Sequence, residues 1–219
     1  MKILVGIKSC WKHKERRQAC RDTWVPDCPW PYRFYVGAHK PLKPFGSLTS
    51  NLTGEPDIQC EAIPDDFKNI GPKIQRMCQW AVEEKATYLV IADDDTYWRP
   101  ERALKLIKRT HQLHADVSAF MRCDPTYPQG SFYILSPCAY AVLAAHPQLD
   151  APGPDDVLVG RILEAAKTIV WHHCVEIHVG PLWPMLQPRP DNEIVSTHKC
   201  LPSDMRHAHE LWKASYGIR

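Results

Sequence analysis

The sequence of 219 residues lacks several patterns that would assign it to a common class of protein. None of its nine cysteines is spaced Cys-x-x-Cys, so the usual zinc-ribbon and thioredoxin-like motifs are absent. It also has no glycine-rich phosphate loop of the Walker type, which counts against an enzyme of nucleoside triphosphates. The formal net charge is only +2, so charge indicates no nucleic-acid partner, and we expect none.

Long apolar runs are missing as well. The apolar segment at residues 1–7 is too short for the core of a signal peptide and far too short for a membrane span. Several cysteines lie in apolar periodic segments, where a reduced, buried thiol is the usual state. We therefore expect a cytoplasmic protein with no transmembrane segment, and a Golgi-lumen address would require an anchor ahead of these residues.

Strand and helix patterns alternate along the whole chain, without an internal repeat or a low-complexity linker. Short apolar runs predict strands, and stripes at helical spacing predict helices between them. Such alternation is typical of a single α/β domain with a mostly parallel sheet flanked by helices. The predicted strands are 3–7, 32–36, 58–63, 88–92, 117–121, 132–135, 169–171 and 175–179. The predicted helices lie within 12–24 and 72–82, after 99, and at 136–145, 155–166 and 203–214.

Three consecutive acids follow one of the predicted strands. The apolar run from Tyr88 to Ala92 ends directly in Asp93, Asp94 and Asp95. In open α/β sheets, ligand sites lie at the carboxyl ends of the strands. Adjacent carboxylates repel one another, and a divalent cation with a preference for oxygen ligands would compensate for this repulsion. We predict a metal site here, with a solvated acidic turn as the alternative.

A second acidic pair, Asp155 and Asp156, opens a predicted helix. One acidic cluster that holds a metal and a separate carboxylate that acts as a base are typical of enzymatic group transfer. The alternative is structural, because negative charge at a helix start is favoured by the helix dipole.

Six ordered stretches of the chain resemble motifs of glycosyltransferase family 31, the β-1,3-galactosyltransferase, β-1,3-N-acetylglucosaminyltransferase and Fringe-like group. Residues 15–24 resemble its Arg-Arg-x-Ala-Ile-Arg-x-Thr-Trp, and residues 88–98 resemble its strand ending in Asp-Asp-Asp. The other four stretches are 65–73, 130–136, 154–160 and 194–212. Each motif alone is weak, but the ordered set spans nearly the whole chain.

The resemblance implies a GT-A fold and an inverting transfer of a hexose or N-acetylhexosamine from a UDP-sugar. The acceptor would be a hydroxyl of a glycan or other molecule, and the new linkage would be β, by resemblance β-1,3. The cofactor would be Mn²⁺ or Mg²⁺. A donor-binding half at about residues 1–98 would precede an acceptor-side half at about residues 99–219.

The resemblance also assigns roles to individual residues. It implies metal ligation by Asp95, His198 and Asp93, and it places the catalytic base at Asp156. It assigns donor binding to Asp93, Asp94, Arg17, Arg21 and Lys73. The acceptor side would contain Asp155, which stands where the family usually has Glu, together with Tyr133 and Trp98.

Several features leave the reaction open. Ile74 and Trp98 depart from the family pattern, and the family's triple glycine is reduced to Gly130, so neither the donor sugar nor the acceptor follows from the sequence. Tyr133 and Trp98 could stack on sugar rings, although aromatic side chains more often belong to the core. Two alternatives to the transferase remain: an inactive nucleotide-sugar or glycan-binding module of the same fold, and a metal-dependent nucleotidyltransferase.

Overall fold

The computed structural model describes residues 1–38, 55–123, 126–150, 155–178 and 194–215. Apolar runs form the strands as predicted, and β1 is buried along its whole length. Across the described residues there are ten strands: β1 (Ile3–Lys8), β2 (Tyr32–Ala38), β3 (Ile58–Pro64), β4 (Tyr88–Asp93), β5 (Tyr97–Trp98), β6 (Val117–Cys123), β7 (Thr126–Leu135), β8 (Trp171–His173), β9 (Ile177–His178) and β10 (Ser196–Thr197).

Seven of these strands form the central sheet, in the order β3-β2-β1-β4-β7-β6-β8. β1 pairs in parallel with β2 and β4, whereas β7 is antiparallel to both of its neighbours. The predicted mostly parallel sheet is therefore confirmed. From β1 the chain builds outward through β2 and β3 on one side and later through β4 on the other. The strand order thus reverses between β1 and β4, and open α/β sheets bind ligands at such a switch point.

Helices cover both faces of the sheet. They are α1 (Lys14–Asp22), α2 (Ile70–Glu83), α3 (Pro100–Gln112), α4 (Pro137–Ala145), α5 (Asp155–Ala165) and α6 (Pro202–Ser215). Buried side chains of α1, α3 and α6 pack on one face, and those of α2, α4 and α5 pack on the other. Apolar periodicity predicted these helices because one stripe of each is buried against the sheet. No helix in the described part of the chain is long and apolar enough to cross a membrane.

A second, three-stranded sheet was not predicted. Its order is β5-β10-β9, and each of its strands has only two residues. Strands this short leave no periodic pattern in the sequence, so only their long-range pairing defines them. In this sheet Ser196 is opposite Trp98, and Thr197 is opposite Tyr97.

The central sheet runs through both predicted halves of the chain, because β4 pairs with β7. The separate donor and acceptor roles of these halves stay a prediction. The largest shifts in predicted strand boundaries are three. The strand expected at 132–135 begins already at Thr126, and the one expected at 169–171 is Trp171–His173. The strand expected at 175–179 is Ile177–His178, with residue 179 outside the described part.

Candidate active site

A cleft with a volume of about 370 Å³ opens beside the carboxyl ends of β1 and β4. It lies where the reversal of strand order predicts a ligand site. The cleft is lined by acidic and basic side chains and by the two apolar side chains of Phe67 and Ile70. Its lining residues are Lys8, Ser9, Cys10, Lys12, His13, Arg16, Asp65, Asp66, Phe67, Ile70, Lys73, Asp93, Asp94, Asp95 and His198.

Asp93, Asp95 and His198 meet in this cleft. Each offers one ligand atom, and these atoms lie within 4.8 Å of one another. His198 Nε2 lies 3.1 Å from Asp95 Oδ1 and 3.5 Å from Asp93 Oδ2. Two carboxylate oxygens and an imidazole nitrogen are a donor set that a divalent cation such as Mn²⁺ accepts. The three side chains that the sequence suggested as metal ligands are thus adjacent in the structure.

The electrostatics of the two acids differ. Burial raises the pKa of Asp93 to about 6, with the positive charge of Lys8 opposing the shift. Burial acts in the same direction on Asp95, but the hydrogen bond and charge of His198 and the charge of Arg16 hold its pKa below the usual value. The charge of Lys8 therefore offsets only part of the effect of burial on Asp93, and a bound cation would stabilise its charged form further.

Asp94 is turned toward the first helix. Its Oδ2 accepts a hydrogen bond from Ser9 Oγ at 2.7 Å and lies 3.0 Å from His13 Nδ1. Arg16 Nη1 lies 3.3 Å from Asp94 Oδ1 and 3.0 Å from Asp95 Oδ2. Asp94 is buried, so its contacts connect the acid cluster to the loop after β1.

The small sheet positions His198. Strand β10 ends at Thr197, opposite Tyr97 of β5, and β5 begins two residues after Asp95. The backbone N–H of Cys200 donates to Asp95 O at 2.9 Å, which closes the turn over the acids. Lys199 within that turn has a φ of 62°, in the left-handed region that non-glycine residues seldom adopt. The turn therefore returns the chain to the acid cluster at the position of His198.

Lys8 joins the acid cluster to the second acidic pair. Its Nζ lies 2.9 Å from Asp93 Oδ1 and 2.9 Å from Asp155 Oδ2. Both Lys8 and Asp155 are buried. Burial would lower the pKa of Lys8, but Asp155 and Asp93 raise it well above the usual value, so this lysine stays protonated.

Neither Asp155 nor Asp156 lines the cleft, but Asp155 is connected to it through the ion pair with Lys8. Helix α5, which begins with these two acids, packs closely on β7. A Cβ at Gly160 would lie 2.7 Å from Tyr127 Cα, so only glycine permits this approach. Nearer the helix start, a Cβ at Gly130 would lie 3.5 Å from the Cβ of Asp156. The two glycines thus place the start of α5 against the strand beside β4.

Asp156 is half-buried, and its Oδ1 accepts a hydrogen bond from the Val157 N–H at 2.8 Å. Burial raises its pKa, and the negative charge of Asp155 adds to the shift. A carboxylate with a raised pKa is a better proton acceptor, as a general base requires.

The structure places Arg17 and Arg21 beside the loop residue Glu55, and neither side chain lines the cleft. Arg17 is buried, donates to Glu55 Oε1 at 3.0 Å, and also donates to Cys10 O at 2.7 Å. Arg21 pairs with Asp57 and Glu55, each at 2.6 Å. Their contacts hold α1 to the loops around it, and their donor-binding role stays a prediction.

Lys73 does line the cleft, but it is already bonded within the protein. Its Nζ donates to Ser9 O at 2.8 Å and to Asp65 Oδ1 at 2.6 Å. Asp65 also accepts hydrogen bonds from the backbone N–H groups of Trp11 and Gly37. In this structure Lys73 therefore supports the loop after β1.

Trp98 and Tyr133 do not reach the surface, contrary to their expected place on the acceptor side. Trp98 is fully buried among Trp24, Trp30 and Phe132, with ring centroids 4.5, 6.1 and 5.5 Å away. Tyr133 is fully buried within β7. Because neither ring has an exposed face, neither can stack on a sugar in this structure.

Sequence reasoning overlooked Lys8 and Arg16. Lys8 is the last residue of β1, the strand beside the one that delivers the acids. Its position at a strand end was a usable signal. Arg16 and Arg17 are neighbours on a helix whose buried stripe contains Cys20. Arg17 is buried, whereas Arg16 is half-exposed and lines the cleft. They precede Cys20 by three and four residues, and both spacings fall on one helix face, so the sequence does not distinguish the two.

Solved structures with the same architecture include a glycosyltransferase involved in glycosylation of the major capsid of PBCV-1. That structure has a TM-score of 0.52 at 11% identity, covering 96% of this chain and all of the other. HddC from Yersinia pseudotuberculosis has a TM-score of 0.53 at 15% identity, covering 97% of this chain and all of the other. This chain has a GT-A fold. At such low identity the similarity shows the fold alone.

One curated relative matches in sequence. It is a probable β-1,3-galactosyltransferase 12 from Arabidopsis thaliana, 28% identical over 123 residues. The match covers 51% of this chain and 33% of that protein, so the chain spans about a third of its length. A search of protein-family models found none that matches.

Proposed function

We propose that this chain is an inverting, metal-dependent glycosyltransferase. It transfers a hexose or N-acetylhexosamine from a UDP-sugar to a hydroxyl of a glycan or other acceptor and forms a β linkage, by resemblance β-1,3. One observation carries the proposal: Asp93, Asp95 and His198 meet at the switch point of a GT-A sheet, and Lys8 connects Asp93 to the acidic pair at the start of α5. The similarity to a probable β-1,3-galactosyltransferase supports it.

The donor set of the site fits a divalent cation. Asp93, Asp95 and His198 would hold Mn²⁺ or Mg²⁺, which prefer carboxylate oxygens and tolerate one imidazole nitrogen. When bound, the ion would neutralise negative charge on the diphosphate that leaves.

Basic side chains in the same wall complement a diphosphate. Lys12 is exposed and Arg16 is half-exposed, and both line the cleft next to the acids. Arg16 spans Asp94 and Asp95 and can turn from these carboxylates to a phosphate oxygen at little cost, because its side chain is long and partly solvated. The apolar side chains of Phe67 and Ile70 lie along the same wall and would contact the nucleoside.

Asp156 performs the proton transfer in this proposal. Its carboxylate accepts the proton of the acceptor hydroxyl while the hydroxyl oxygen forms a bond to the anomeric carbon. The bond from that carbon to the phosphate oxygen breaks, and its electron pair leaves with UDP. Attack opposite the leaving group inverts the anomeric centre.

The test combines binding and turnover. The wild-type chain is incubated with a panel of UDP-sugars, acceptors and Mn²⁺, and released UDP is measured. We expect transfer with at least one donor, and we expect Asp156→Asn to lower kcat by 10²-fold or more, about the contribution of a general base. Binding of UDP with Mn²⁺ should stay close to wild type, because Asp156 contacts neither ligand in the proposal.

A matched control removes a charge elsewhere on the same helix. Glu164 of α5 is exposed, so Glu164→Gln should keep wild-type turnover. Loss of both UDP binding and turnover in Asp156→Asn would remove the role of Asp156 as the base. Binding of UDP with Mn²⁺ without turnover of any donor by the wild type would identify a binding module instead.

A further inference from the structure

Lys8 has an unusual environment for a lysine. Its side chain is 6% exposed, and a buried ammonium group is costly unless it is paired. Two carboxylates from different elements share it, Asp93 at the end of β4 and Asp155 at the start of α5. Its backbone is anchored too, since the Asp94 N–H donates to Lys8 O at 3.0 Å. Lys8 is therefore held at both ends between the two acidic groups.

The contact with Asp155 governs the start of α5. Among the ion pairs of the described residues, Lys8 is the only cationic partner of Asp155. Asp155 is the first residue of α5, and Asp156 follows it directly. The position of the Asp155 carboxylate on Lys8 therefore determines where the Asp156 side chain lies relative to the cleft.

Gly130 of β7 leaves the space that this bridge needs. A Cβ at this position would lie 3.2 Å from Lys8 Nζ and 3.6 Å from Asp155 Oδ2. The first distance is tighter than ordinary van der Waals contact, so a side chain here would press on the ammonium group. The absence of a side chain at Gly130 of β7 thus leaves room for the contact between Lys8 of β1 and Asp155 of α5.

We propose that Lys8 is a positioning residue that couples the donor acids to the catalytic base. It holds Asp155, and through it the start of α5, at the end of β4, so that Asp156 lies beside the sugar bound at the donor site. The inference rests on the proposed function. Lys8 contributes no proton and no ligand atom, because it acts through Asp155.

This role predicts opposite effects on turnover and on metal binding. Without Lys8 the start of α5 is no longer fixed, so the base is displaced and kcat falls. Asp93, in contrast, loses a neighbouring positive charge that competes with a cation. Binding of Mn²⁺ with UDP should therefore stay as tight as in the wild type or become tighter. A collapse of the site would instead lower kcat and weaken the binding of Mn²⁺ with UDP together.

The experiment compares Lys8→Met and Lys8→Arg with a matched control, Lys2→Met. Lys2 directly precedes β1, is exposed and pairs with Glu84. We expect kcat of Lys8→Met to fall by about 10²-fold, the size expected for a misplaced catalytic group. Lys8→Arg should recover part of the loss, and Lys2→Met should equal the wild type. The affinity for Mn²⁺ with UDP is measured by calorimetry for every variant.

A double-variant cycle tests the coupling and does not depend on the stability of Lys8→Met alone. Because Lys8 acts through Asp155, kcat of Lys8→Met with Asp155→Asn should match that of the slower single variant. Additive losses in this cycle, a kcat of Lys8→Met within twofold of wild type, or weaker Mn²⁺–UDP binding would each overturn the inference. No turnover by the wild type would instead overturn the proposed function, and this inference with it.

Discussion

The three adjacent carboxylates at the end of β4 lie in three different environments. Asp93 lies between Lys8 and His198. Asp95 also contacts His198. Asp94 points away from Lys8 and His198, and it contacts side chains of α1 and of the loop between β1 and α1. Lys8 at Asp93 and Arg16 at Asp94 and Asp95 thus relieve the mutual repulsion. Asp93 and Asp95 are the two acids placed to share a cation with His198.

The raised pKa of Asp156 predicts the pH dependence of transfer. Burial, with the charge of Asp155, raises this pKa above its ordinary value. A base works only when deprotonated, so kcat/KM should decline as pH falls through that raised pKa. The decline should begin at a higher pH than an ordinary aspartate, with a pKa of about 3.9, would give. The measurement is a pH profile of kcat/KM for the preferred UDP-sugar.

Metal loss must be kept apart from titration of the base. Asp93 has a pKa of about 6 without metal, so Mn²⁺ is kept saturating at every pH and its occupancy is checked. A value of kcat/KM that stays constant down to pH of about 4 would contradict the assignment of Asp156 as a base with a raised pKa.

At the scale of elements, the contact between α5 and β7 positions Asp155 and the proposed base, Asp156, at the start of the helix. Gly160 permits that contact, and replacing it by alanine would push the helix away from Tyr127. We expect Gly160→Ala to lower the free energy of unfolding by about 1–3 kcal/mol, as overpacking does. It should also lower kcat, because Asp156 moves with the helix.

Chemical denaturation measures the stability change. Arg161→Ala is the control, since Arg161 is the next residue of α5 and is exposed. If Gly160→Ala unfolds at the same denaturant concentration as the wild type, the close packing of α5 on β7 is not what positions Asp156.

How far the sequence predicts these elements depends on their length. The apolar run before Asp93 predicts β4 and its acids, because a buried strand leaves a continuous apolar signal. The two residues of β10 leave none, so the placement of His198 beside Asp95 rested on resemblance. Trp98 shows a different limit. An aromatic side chain is compatible with sugar binding as well as with the core, and only the packing around Trp98 decides between them.

At the scale of the whole molecule, strand order explains why distant residues share one cleft. Lys8, Asp93 and His198 lie far apart in sequence, yet β1 and β4 are adjacent and β10 closes over them through β5. The alternation of strands and helices predicts the sheet but not which strands are neighbours. The switch point between β1 and β4 therefore became visible only in the structure.

We propose above that Asp93, Asp95 and His198 bind a divalent ion together with a UDP-sugar. Calorimetric titration of Mn²⁺ in the presence of UDP tests it most directly, on the wild type, Asp95→Asn and His198→Ala, with Asp116→Asn as a control away from the cleft. We expect one Mn²⁺ per wild-type chain, unchanged binding in the control, and affinity at least tenfold lower in each site variant, because losing even an outer-shell partner of a metal ligand typically costs about 10–100-fold. Mn²⁺ binding that is absent from the wild type, or unchanged in both site variants, would contradict it.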